Sequence, residues 1–220
     1  KIDYLPGCVE LGDFDATSTA IALFPCDLQS ALPEPALQHT FDKYFDFFEK
    51  RRSGALAWEN YTPYELRIMG AFVRLGQAER AHALLAYFLK DERPQGWREW
   101  AEVVWRDPAT PRYIGDMPHT WVGSAFVNSV RAMIAYETQD AMVLLGGVTE
   151  HWLDSAGGIT ARDWPTFYGT LNLHAQIQDD VLTVELAGDA RPPQGYRLVL
   201  PVPREPVSVE VDGAGGAAED

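Results

Sequence analysis

The spacing of apolar residues changes once along this chain, near residue 140, and that change limits the folds open to it. Before it the spacing is helical. Between Pro35 and Arg52 apolar side chains fall at Leu37, Phe41, Tyr44, Phe45 and Phe48, which is one face of a helix. Thr62, Pro63 and Glu65 suit the N-cap, first and third positions of a second helix, a capping-box arrangement. That helix is expected to run through Leu66, Met69 and Val73 and to stop at Gly76. A third carries Ala78, Ala81, Leu84, Leu85, Phe88 and Leu89 on one stripe and ends before Pro94, so the pair should form an antiparallel hairpin. A fourth follows His119, with Val122, Phe126, Val130, Met133 and Ile134 facing inward.

After residue 140 the chain reads as strands. Ala141–Leu145 is a short apolar run broken by Gly146-Gly147. Leu171–Ile177 and Val181–Leu186 alternate on either side of an Asp179-Asp180 turn, and Gly195–Leu200 and Pro206–Asp212 are further candidates. The expected class is therefore α+β: a helical region at 1–140, an antiparallel β-module at 141–212, and a mobile tail at 213–220 that lacks core-forming residues.

Composition narrows the functions. Lys and Arg number 18 against 32 Asp and Glu, a formal charge of −14, which disfavours DNA, RNA and anionic membrane as partners. No apolar run is long enough for a membrane span. Cys8 and Cys26 are too few for a disulfide scaffold, and the five histidines are scattered, so no metal site is expected. Nucleotide and dinucleotide motifs are absent, as is the G-x-S-x-G of an α/β-hydrolase, so no cofactor is expected. The chain opens at Lys1 with IDYLPGCVELGDFD, which reads as mid-domain; the expectation is a segment of something longer.

Five of the seven tryptophans lie between Trp58 and Trp121: those two with Trp97, Trp100 and Trp105. Each could be an ordinary core residue. Together they could also line a groove, because flat aromatic faces stack on sugar rings. Arg93–Pro118 lacks a helical period, and a loop of that length inside a compact domain is more often functional than idle. Carboxylates stand next to the rings: Glu59, Glu99, Glu102, Asp107 and Asp116. Glycoside hydrolysis needs two carboxyl groups of unequal pKa, and an apolar wall helps to separate them. Any one acid in so acidic a chain could equally be a solvated surface group. His119 could bind substrate or cap a helix. Asp13, in G-D-F-D, and Asp15 could cap a helix or line a sugar site.

The segment WENYTPYELRIMGAFVRLGQAERAHALL resembles a late hairpin of the six-hairpin, (α/α)6-toroid glycosidases, among them the cellobiose/chitobiose phosphorylases and α-L-rhamnosidases. GDMPHTWVGSAFVNSVRAMIAYE is similar to their last inner helix, and the stretch from Trp164 to Pro201 resembles a closing β-module. The nearest resemblance is to large bacterial proteins of this kind. It implies a C-terminal part of a toroid, with about four or five of its twelve helices, working with the remainder of a parent polypeptide on a carbohydrate substrate. It implies as general base a glutamate following a tryptophan. Glu102 is preferred, because W-A-E-V runs into an apolar stretch; Glu99 is the competitor, and Glu59 would contact substrate. Trp58, Trp97, Trp100, Trp121, His119, Asp116 and Asp13 would line the sugar site. The alternative is a non-catalytic carbohydrate-binding or structural module; a terpenoid-cyclase-like helical toroid is a third reading.

Overall fold

In the computed structural model, residues 2–201, 206 and 208–211 are described. Mixed helix and sheet make an α+β chain, with helices first and most of the strand residues after them. The helices are α1 (Ala16–Leu23), α2 (Ala36–Ser53), α3 (Leu66–Arg74), α4 (Ala78–Lys90), α5 (Thr120–Ile134) and a single turn, α6 (Glu150–Leu153).

Helix α3 is the centre of the helical half. Leu66, Ile68, Met69, Ala71 and Phe72 are all fully buried, so it meets neighbours around almost its whole circumference. Helices α1, α4 and α5 pack on it, and the aromatic side chains of α2 reach its Phe72. The α1 approach is close: a Cβ at Gly70 would stand 2.3 Å from the Phe24 ring, so only glycine fits there. Phe41, Tyr44 and Phe45 of α2 surround Phe72 with ring centroids 6.0, 6.2 and 5.8 Å away. On the α5 side the buried Ser129 hydroxyl donates to the Leu66 carbonyl at 2.8 Å.

The start of α3 differs from the expected capping box. Pro63–Glu65 is a 3-10 turn capped by Thr62, and the α-helix begins only at Leu66. Glu65 does not reach back to Thr62. Its carboxylate turns into the core and accepts both terminal nitrogens of Arg51, at 2.8 and 2.7 Å, and the Tyr44 hydroxyl at 2.6 Å. Burial and the adjacent carboxylate push the Tyr44 phenol well up. Burial opposes the charge on Arg51, but the Glu65 carboxylate more than offsets it and holds the guanidinium charged.

Helix α1 was not legible as a helix, although Asp13 and Asp15 marked its edge. Asp15 is its N-cap, accepting from Ser18 N at 2.9 Å. Asp13 instead closes the preceding loop, accepting from Cys8 N at 2.7 Å.

The strands are β1 (Asn60–Tyr61), β2 (Val104–Trp105), β3 (Ala135–Glu137), β4 (Met142–Leu144), β5 (Ile159–Thr166), β6 (Gly169–Gln178), β7 (Val181–Gly188) and β8 (Tyr196–Leu198). β5, β6 and β7 form an antiparallel meander whose Ala161, Leu171, Leu173 and Ala175 face a second apolar cluster. Asp179 and Asp180 both lie at positive φ, as a two-residue type I′ hairpin turn requires. β3 pairs antiparallel with β4, but β8 joins β4 in parallel, which departs from a wholly antiparallel module. β5 was not foreseen, because a register shift between Ala161 and Trp164 and a proline at 165 interrupt its alternation. Within Pro206–Asp212, residues 206 and 208–211 form no strand; 207, 212 and the tail 213–220 lie outside the described residues.

The two halves meet at a histidine. His82 of α4 shares a 2.8 Å hydrogen bond with the Gly147 carbonyl and packs edge-on against Trp152, which touches both apolar clusters. Burial lowers its pKa below the ordinary 6.5, opposed in part by that hydrogen bond.

Two outcomes follow from these contacts. Glu65→Gln leaves the Arg51 charge buried and uncompensated, and chemical denaturation should show a loss of about 3–5 kcal/mol; Arg51→Met with Glu65→Leu should lose much less. For His82, the unfolded chain binds the proton more readily than the folded one. Its contribution is thus complete above pH 6.5 and fades as the pH falls below that value. Melting temperature measured from pH 7.5 to 5 should fall less steeply in His82→Gln.

Candidate functional site

A two-stranded ribbon organises the tryptophan-rich region. β1 and β2 pair antiparallel, Asn60 opposite Trp105 and Tyr61 opposite Val104. Beyond one end, the Thr62 hydroxyl donates to the Glu102 carbonyl at 2.6 Å. A third segment lies on the far side: Glu102 N donates to Asp116 O at 2.9 Å and Gly115 N to Val103 O at 2.6 Å. His119 N donates to Trp100 O at 2.8 Å, which brings the start of α5 to the same place. The loop that lacks a helical period is thus pinned on both sides by backbone bonds.

This lacing gathers four polar side chains. The Tyr64 hydroxyl lies 2.5 Å from His119 Nε2, and His119 Nδ1 lies 3.3 Å from Asp116 Oδ2. Tyr64 is raised above the ordinary phenol range by burial, with Glu102 adding to the rise and Arg67 opposing it. A carboxylate can only accept, so the geometry favours Nδ1–H donating to Asp116, which leaves Nε2 to accept from Tyr64 O–H. The Arg67 guanidinium lies over the Tyr64 ring, 4.5 Å from its centroid. The Trp121 ring, 70% exposed, stands 6.3 Å from His119 and makes an aromatic rim.

Glu102, Asp116, His119 and Trp121 therefore come together. Glu59 does not join them. It lies past the other end of the ribbon, where Arg106 N donates to its carbonyl at 2.8 Å. From Glu59 to Thr62 along an extended strand is about 10 Å. There Trp58, Glu59, Trp105, Arg106, Asp107 and Thr110 line a shallow depression of about 450 Å³. Trp58 is half-buried, edge-on to Tyr61 at 5.2 Å and beneath Arg93 at 5.5 Å, which makes it a packing residue there. Trp100 packs on Phe126 at 5.4 Å against the helical core, with only its backbone carbonyl at the site. Trp97 is 65% exposed on the 94–100 loop, Glu99 beside it is half-buried, and Asp13 is engaged in its own turn.

Sequence reasoning missed Tyr64 and Arg67. Their signal was a Tyr-x-x-Arg pair, three residues apart and so on one face, at the start of an otherwise apolar helix. Among the described residues no group of three or more His, Cys, Asp or Glu is arranged to hold a metal ion. Cys8 and Cys26 are both free thiols. No helix among the described residues is long and apolar enough to cross a membrane. Comparison with protein-family models, curated proteins and solved structures finds no match to this chain.

The assigned tautomer is measurable. Nitrogen-15 NMR of the uncharged ring should show the His119 proton on Nδ1, against the usual preference for Nε2. Tyr64→Phe should shift that balance toward Nε2–H; an unchanged tautomer would contradict the assigned chain of donors.

Proposed function

We propose that the chain carries a glycan site built on Glu102, Tyr64, His119 and Asp116, and acts as part of a glycoside hydrolase. One observation carries this reading: a Tyr–His–Asp hydrogen-bond chain stands beside an exposed tryptophan, with the charge of Glu102 acting on its Tyr64. Sugars present hydroxyls along their edges and C–H groups on their faces, and this arrangement offers partners for both. Glu102 sits on a backbone segment tied to Thr62 and Asp116, so its carboxylate has a fixed base from which to take a proton from water as general base. The Tyr64–His119–Asp116 chain would orient substrate hydroxyls. The second carboxylate of hydrolysis would come from the remainder of the parent polypeptide. Helix α3 packs against α1, α4 and α5 at once, as a central helix of a toroid segment would.

The second reading, a non-catalytic carbohydrate-binding module, is favoured by the separation of Glu59 from Glu102 and by the open, shallow character of the tryptophan surface. Glu102→Gln in the longest natural chain separates the two. Under the hydrolase reading it should lower turnover of a cleaved oligosaccharide by about 100-fold or more. Unchanged turnover in both Glu102→Gln and Glu99→Gln would remove the hydrolase assignment. Calorimetry should show Trp121→Ala weakening glycan binding by about tenfold under either reading; binding without product release would favour the module.

A further inference from the structure

Six arginines among the described residues are half-buried: Arg51, Arg67, Arg74, Arg80, Arg93 and Arg131. Five hold a carboxylate, respectively Glu65, Asp27, Asp42, Asp91 and Glu137, with Arg67 the exception. Among the described residues Arg67 makes no ion pair and no hydrogen bond, only the contact with the Tyr64 ring. The charge of Asp15 acts on Arg67 from a distance, but Asp15 makes no ion pair or hydrogen bond with it and instead accepts from Ser18 N and Ser18 Oγ at 2.9 and 2.5 Å. Asp116 bonds His119 through one oxygen and makes no contact with Arg67. Burial strips part of the hydration from Arg67 and pulls its pKa below the ordinary arginine range. In a chain with 32 acidic residues against 18 basic ones, a half-buried guanidinium with no carboxylate in contact is the exception among the described residues. It lies over the ring of Tyr64, whose hydroxyl meets His119, the residue that stands beside Trp121.

We propose that Arg67 receives the carboxylate of an acidic sugar, so that the glycan taken by this site contains uronate residues. The proposal rests on the glycan reading and names the substrate class. A planar guanidinium matches a carboxylate by two parallel N–H···O bonds, which a neutral hydroxymethyl group at the same sugar carbon cannot accept. The exposed Asp116 and the half-buried Glu102 repel a small free anion, and the whole molecule is acidic. A carboxylate held on a sugar chain is different, because the neighbouring sugar units hold it at the site while their hydroxyls face the acids.

The full chain is titrated calorimetrically with oligogalacturonate and with the same oligomer after reduction of its carboxyl groups to neutral hydroxymethyls. Sodium acetate serves as the free-carboxylate control. The acidic oligomer should bind about tenfold or more tighter than the reduced one, acetate should not compete at millimolar concentration, and added salt should narrow the gap. Arg67→Gln should bring the acidic oligomer down to the level of the reduced one and leave the reduced one unchanged. Equal affinity for both oligomers in the unmodified protein would overturn the uronate assignment while leaving the glycan site standing. Effective competition by acetate would overturn it in favour of a small-anion site. Binding of neither oligomer would overturn both.

Discussion

The ion pair between Arg51 and Glu65, with the Tyr44 hydroxyl on the same carboxylate, holds the rest of the helical half in register. Two charges taken out of water are stable only when geometry and hydrogen bonding are good, and here the contact is bidentate and supplemented. Helix α2 is thereby fixed to the 3-10 turn that precedes α3. The next residue back along the chain is Tyr64, whose position is set by the neighbour it cannot move without. A buried salt bridge in the core thus orients the most distinctive polar contact on the surface. The sequence places the two side by side, one facing in and one facing out of the same tight turn.

Much of the helical half could be read from spacing. The stripes of α2, α4 and α5 and the short link between α3 and α4 agree with the periodicity, because tertiary packing there uses the amphipathic faces directly; the exception is Leu89, expected on the α4 stripe but 51% exposed in the last turn of that helix. Glu65 was misassigned for a physical reason: a glutamate three residues after a threonine suits a capping box, but a partner fourteen residues earlier captured it. Local pattern cannot see that competitor. Helix α1 and strand β5 were missed in a related way, the first being short and without a strong stripe, the second carrying a bulge that breaks the period of two.

The candidate site was legible in part. Its acids and the exposed tryptophan announced themselves by residue type, and the structure brings Glu102, Asp116, His119 and Trp121 together. Residue type also drew in Trp58, Trp100 and Glu59, which the ribbon sends elsewhere. Whether an aromatic ring packs or projects is decided by which side of a strand it occupies, and two-residue strands are too short for that to be read in advance. Tyr64 and Arg67 escaped notice because each is unremarked alone. Only the three-residue spacing, from the 3-10 turn into the first turn of α3, makes them a pair.

Helix α5 carries His119 at its entrance and passes into strand β3 at Ala135 without an intervening loop residue. Arg131, in its last turn, bonds both Glu137 and the Pro165 carbonyl of the meander. At 1.5 Å per residue its fifteen residues form a strut of about 22 Å. There is no seam at which the strand-rich half could be exchanged for another without rebuilding the end of the helix that presents His119. Divergence of this protein by module shuffling is therefore closed at this junction, and the two halves are constrained to change together, residue by residue.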